Sequence, residues 1–251
     1  MTADRREMSL RQKLAIVEEP PPWGLPSATL ALLALFLCLT VVGPALASIV
    51  LGSANPSPAL LMLSWTLGMI LCSAFVLVSR RSSPASWKAL RLRRGKQPLA
   101  LAMLFGVAIG LTLDLLIGLL GGRFLPMPTI FGLPEAGAEM IILGALLAVL
   151  VQPIAETLVF QALLLPALRS RLGAWAGVII TSALMTLLHL LVFVAALPDA
   201  YQLLWHGIVL PAALAFAFCL LRVLADSSLA VILGRMGAGM IFLLTALTLG
   251  S

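Results

Sequence analysis

Seven stretches of this sequence are apolar for about twenty residues or more, and that property decides which folds are open to it. They run 28–51, 59–79, 98–120, 138–168, 174–197, 203–222 and 227–249. A helix needs roughly 20 such residues to cross a hydrocarbon core about 30 Å thick. Lipid offers no partner to a backbone N–H or C=O, so a crossing segment must be a helix or part of a closed barrel. A barrel fails on pattern, because no alternating ten-residue segments occur. The predicted fold class is all-α, a polytopic transmembrane helical bundle of about seven spans.

Composition agrees. The chain is 61% hydrophobic and 10% charged, so lipid bilayer surrounds most of its surface. The formal charge of +6 then reads as membrane-surface asymmetry, and nucleic acid is not an expected partner. Cys38, Cys72 and Cys219 all fall inside apolar runs without metal-ligand spacing, and read as small core or lipid-facing residues. The polar start lacks an A-x-A-type site, so no cleaved signal peptide is expected.

Two domains follow. Residues 1–27 form a basic, Pro-rich tail, and 28–251 the transmembrane domain, with a motif-bearing core at 138–245. In the tail, helical spacing puts Leu10, Leu14 and Val17 on one side. That fits either a short helix at the interface or a solvated basic segment. Pro20, Pro21, Pro22 and Pro26 are expected to stop any helix there and stiffen the entry to the membrane. The loop GGRFLPMPTIFGLPEAGAE is expected to pack back on the membrane surface.

Fourteen of the 16 Lys and Arg residues fall on one side of this assignment. They lie in the tail, in the loop from Arg80 to Lys96, at Arg169 and Arg171, and at Arg222. The opposite loops carry only Arg123. The excess places the N-terminus in the cytoplasm, and the predicted location is the cell (plasma) membrane. Pro44, Pro153, Pro166 and Pro211 lie in or near spans, where proline removes a backbone bond and can kink the helix.

Five ionisable groups lie within apolar runs: Asp114, Glu156, His189, His206 and Arg235. Such groups are costly in hydrocarbon and mark candidate functional sites. At 1.5 Å per residue, Asp114 and His189 lie roughly 24 Å from the cytoplasmic end of their spans, Glu156 roughly 19 Å and Arg235 roughly 12 Å. His206, near the outer end of its span, comes close to the level of His189. Glu156 and His189 therefore share a level, as a common site requires. A carboxylate and an imidazole suit zinc, and a catalytic zinc needs three protein ligands and an open position. Glu156 and His189 are two; His206 or Asp114 is a possible third. The same groups also fit a buried polar cluster that fixes helix packing.

The runs PIAETLVFQALLLPAL and AWAGVIITSALMTLLHL resemble the CPBP membrane proteins, the type II CAAX prenyl endopeptidase-like (Abi) family. Trp87 to Arg94 and the Gly173–Trp175 turn fit as well, and the resemblance covers about 85–245. It implies an all-helical membrane bundle with a CAAX-protease-like core around a polar cavity. It also implies metalloprotease chemistry in some members and immunity-type or unknown roles in others. The family's first motif, EExxxR, puts its first Glu on Glu156, its second on Thr157 and its Arg on Gln161. Phe160 matches its aromatic, and Ala162 stands at its Gly. The second motif, FxxxH, puts Met185 on the Phe and His189 on the metal-binding His. The third, HxxxN, puts Arg235 on the His and Gly239 on the Asn.

The departures form a pattern. Thr157 and Gln161, four apart on one helix face, lack both charges of the family's Glu–Arg pair. Arg235 repels a dication and is placed to pair with Glu156 instead. Three functions follow. One is a degenerate, weakly active or non-catalytic member, a pseudoenzyme acting as membrane scaffold or complex subunit without a cofactor. The second is an active intramembrane zinc metallopeptidase, a hydrolase cleaving a membrane protein or lipidated peptide. The third is a transporter with a proton path through Asp114, Glu156 and His189, for which no inverted repeat is visible. The departures favour the first.

Overall fold

In a computed structural model of the 251-residue chain, the described residues are 9–53, 55, 57–95, 97–122, 125, 137–194, 197 and 199–249. Seven helices among them are long and apolar enough to cross a membrane: Leu25–Leu51, Ala59–Arg81, Leu99–Gly121, Ala138–Leu172, Ala174–Phe193, Ala200–Ala225 and Ser228–Thr248. In chain order they are spans one to seven. No strand occurs among the described residues. The chain is a multi-pass, all-α membrane bundle. Most of the loop 121–139, with Arg123, lies outside the described residues, as do Arg5, Arg6 and Lys96.

Span four is the hub. It packs against spans one, two, five, six and seven. Its residues from Thr157 to Leu165 are buried on every side, although their sequence TLVFQALLL has no polar face to turn inward. A helix apolar all round is buried by neighbours rather than by lipid alone. Span three is peripheral and lies mainly along span seven, in the most extensive helix–helix contact of the fold. Glycine makes that contact close: a Cβ on Gly106 would fall on the backbone carbonyl of Gly234. Small residues that let two backbones meet are the usual glue between helices in lipid.

Four prolines inside the spans act in one way. Wide, π-helical turns occupy Cys38–Val42, Leu146–Val151, Thr157–Leu164 and Leu204–Val209, and Pro44, Pro153, Pro166 and Pro211 each follow two residues later. Proline has no N–H, and its ring pushes away the carbonyl four residues back. Those carbonyls belong to Thr40, Val149, Ala162 and Gly207, each inside the widened segment. The helices are therefore widened rather than broken. Hydroxyls in the spans turn to their own helices; Thr66 donates to Met62 O at 2.8 Å and Thr181 to Gly177 O at 2.7 Å.

Several helix ends differ from expectation. Pro26 does not stop a helix but starts one: span one begins at Leu25 on an extended Gly24, with Pro26 in its first turn. There the missing N–H is one that no helix would have paired. Span four continues to Leu172, so Arg169 and Arg171 sit on its last turn, where cations suit the helix dipole, and the link to span five is Gly173 alone. In the tail, Ser9 and Gln12 cap a short helix, Leu10–Ala15, by reciprocal bonds of 3.3 and 2.9 Å. That helix rests on spans five and six, and Val17, beyond its end, is 56% exposed and does not share a buried face with Leu14. Trp23 anchors the entry to the membrane: its Nε1 donates to Leu163 O at 3.1 Å, and Arg80 stands 5.3 Å over its ring.

Candidate functional site

Glu156 closes a single α-helical turn, Gln152–Glu156, between the two wide segments of span four. It is 1% exposed. Both carboxylate oxygens have partners. Oε1 accepts from Gln152 Nε2 at 2.8 Å and faces His189 Nε2 at 3.3 Å. Oε2 accepts from Nη1 of Arg235, in a buried ion pair between spans four and seven. Gln152 is a site residue that sequence reasoning passed over. Its spacing of four from Glu156 in a helix was the available signal.

His189 is held by span five. Its Nδ1 lies 2.9 Å from the Met185 carbonyl, so that nitrogen carries a hydrogen and donates. Nε2 then donates to Glu156 only when the ring is protonated on both nitrogens. The ring is walled by Trp65, edge-on at 6.2 Å, and Phe193 at 6.0 Å, which themselves stack at 5.1 Å.

Arg235 is 6% exposed and reaches four groups. Besides Glu156, its Nη2 lies 3.2 Å from Met185 Sδ, and its guanidinium carbon stands 4.9 Å over the Phe218 ring. The Gln161 carboxamide, whose two ends are assigned from their partners, donates to Glu156 O at 3.2 Å and accepts from Arg235 Nη2 at 3.2 Å. Gln161 therefore serves Arg235 and not Thr157. Their spacing of four suggested a shared face, but in a wide turn the matching spacing is five. The Thr157 hydroxyl, fully buried, has no partner among the described residues.

A cavity of about 40 Å³ adjoins these groups, lined also by His206, Phe242 and Gly239. It has room for a few water molecules at most. His206 is 3% exposed, and its Nδ1 has no partner among the described residues. Asp114 is elsewhere. It is not part of the cavity wall, and it accepts from Thr245 Oγ1 across spans three and seven. Gly239 lets spans four and seven approach closely, since a Cβ there would overlap the Ala148 carbonyl of span four.

The residues do not fit a zinc ion. Among the described residues no three of His, Cys, Asp and Glu converge. The two donors that do converge, Glu156 and His189, have a guanidinium on the same carboxylate, and a fixed positive charge opposes a dication there. What the arrangement does chemically is neutralise a buried carboxylate with a buried cation.

No curated protein and no solved structure matches the chain. Residues 138–241 match the family model described as type II CAAX prenyl endopeptidase Rce1-like, and that stretch supplies Glu156, His189, His206 and Arg235.

Proposed function

We propose that this Rce1-like membrane protein is non-catalytic and acts in the bilayer as a scaffold or as a subunit of a larger membrane complex. The Glu156–Arg235 ion pair carries the reading. A carboxylate that activates water needs an oxygen free to accept its proton. Both oxygens of Glu156 already face Gln152, His189 or Arg235. Gln161 ties the same guanidinium to span four, and Phe218 covers it. Arg235 thus balances the charge that a metal would balance in an active relative. The partner is a membrane protein or lipidated peptide, and the setting is the plasma membrane with the N-terminus inside.

Elemental analysis of the detergent-purified chain tests this. Wild type is expected to hold far less than about one zinc per chain, and Arg235→His to gain zinc that depends on His189. About one zinc in wild type, lost on His189→Ala, would restore the peptidase reading.

A further inference from the structure

We propose that the basic end of the bundle holds a binding site for a phosphate-class anion, filled in this structure by the carboxylate of Glu18. The proposal is independent of what Glu156 does. Three guanidiniums from three segments converge on Glu18. Arg91 Nη1 lies 3.0 Å from Oε1, Arg169 Nε 3.5 Å from Oε2, and Arg222 Nη2 3.9 Å from Oε1. Arg91 comes from the loop after span two, Arg169 from the end of span four and Arg222 from the end of span six. Asp226 also pairs with Arg91. Among the described residues three fixed positive charges thus meet two carboxylates, and one positive charge is left over.

The surplus sits in the buried part of the cluster. Arg169 is 2% exposed and Arg222 1%. Arg222 Nη1 and Nη2 and Arg169 Nε have no hydrogen-bond partner among the described residues. Arg169 is otherwise bonded, its Nη1 donating to Ala174 O at 2.8 Å, so the unmet donors lie mainly on Arg222, and a buried N–H without a partner is unfavourable. One carboxylate has too few oxygens to satisfy three such forks, whereas a phosphate group brings three or more acceptors and up to two charges. The donors are held in place beforehand. Arg222 Nε donates to Ser228 Oγ at 3.0 Å, and that hydroxyl donates to Leu90 O at 2.6 Å. Ser228 N donates to Arg91 O at 3.0 Å. Arg91 and Asp226 both keep left-handed backbones, φ 53° and 54°. Arg91 and Asp226, the more exposed members, mark the way in.

Occupancy is coupled to the tail. Arg169 Nη2 donates to the carbonyls of Ile16 at 2.6 Å and Leu14 at 3.3 Å, so the residue that binds Glu18 also clips the preceding chain. A phosphate that displaces Glu18 loosens that clip. Phosphate of this kind comes from a phosphomonoester lipid headgroup or from solution.

The test uses the full chain, free of native cysteines, with a spin label at Val17→Cys, in phosphatidylcholine nanodiscs. One arm adds inorganic phosphate; the other dopes the discs with phosphatidylinositol 4-phosphate. The label is expected to become more mobile in at least one arm. A response in both assigns phosphate in general, and a response only in doped discs assigns the lipid headgroup. Glu18→Gln, which removes the built-in competitor, is expected to lower the half-effective phosphate about tenfold. Arg91→Gln is expected to raise it. An unresponsive label in both arms, in wild type and in well-folded Glu18→Gln alike, overturns the proposal.

Discussion

Arg235 of span seven and Glu156 of span four form a buried ion pair, at positions that the resemblance to the CPBP motifs aligns with a His and a Glu. A charge-balanced pair in this position fixes two helices relative to each other. It also separates what the site stabilises from what it can catalyse.

Removing one partner leaves the other charged and buried. Arg235→Ala is expected to destabilise the protein by about 3–5 kcal/mol, and Glu156→Gln by a similar amount. The double variant Glu156→Gln/Arg235→Met is expected to recover most of the loss, since neither charge remains. Denaturant titration in detergent gives all three values. Additive losses in the double variant would show that the two residues do not act as a pair.

Placing at position 239 the Asn of the motif that the sequence resembles is expected to harm the fold. Gly239→Asn drives a Cβ into the Ala148 carbonyl of span four and forces the two spans apart. A loss of about 1–3 kcal/mol or more, seen as a lower thermal midpoint, is expected. Unchanged stability would mean that spans four and seven separate freely.

The sidedness inferred from charge predicts that Arg94→Cys, at an exposed position, reacts with impermeant maleimide only after cells are opened. Labelling in intact cells would invert the orientation. The structure supplies the geometric half of this expectation. Arg91, Arg169, Arg222 and the tail's Glu18 all meet, so the tail and the connections after spans two, four and six share one end of the bundle.

The spans were legible because bilayer thickness imposes a length that composition reports directly. The Glu156–His189 level was legible because helical rise is constant enough to compare depths. Other features needed three dimensions. The effect of Pro153 depended on whether its helix would break or widen, and neighbours on every side of span four hold it together. The role of Gln161 was hidden because a wide turn changes which residues share a face. Asp114 matched His189 in depth, but depth says nothing about which way round a helix a side chain points. The cluster around Glu18 joins residues up to 204 positions apart, beyond the reach of any local pattern.

The one-residue link at Gly173 makes spans four and five a ruler folded at a single mark. Arg169 stands four residues before the mark and Gly177 four after, and a Cβ on Gly177 would meet the Arg169 backbone. Glu156 stands seventeen before and His189 sixteen after, and they too meet. The extra residue falls on the arm with the wide turn, where more residues per turn advance the chain less per residue. The length of this link therefore sets the alignment of a pair roughly 24 Å away. One residue added at position 173 would slide the arms by about 1.5 Å and turn the imidazole away from the carboxylate, with no change in any residue that touches either.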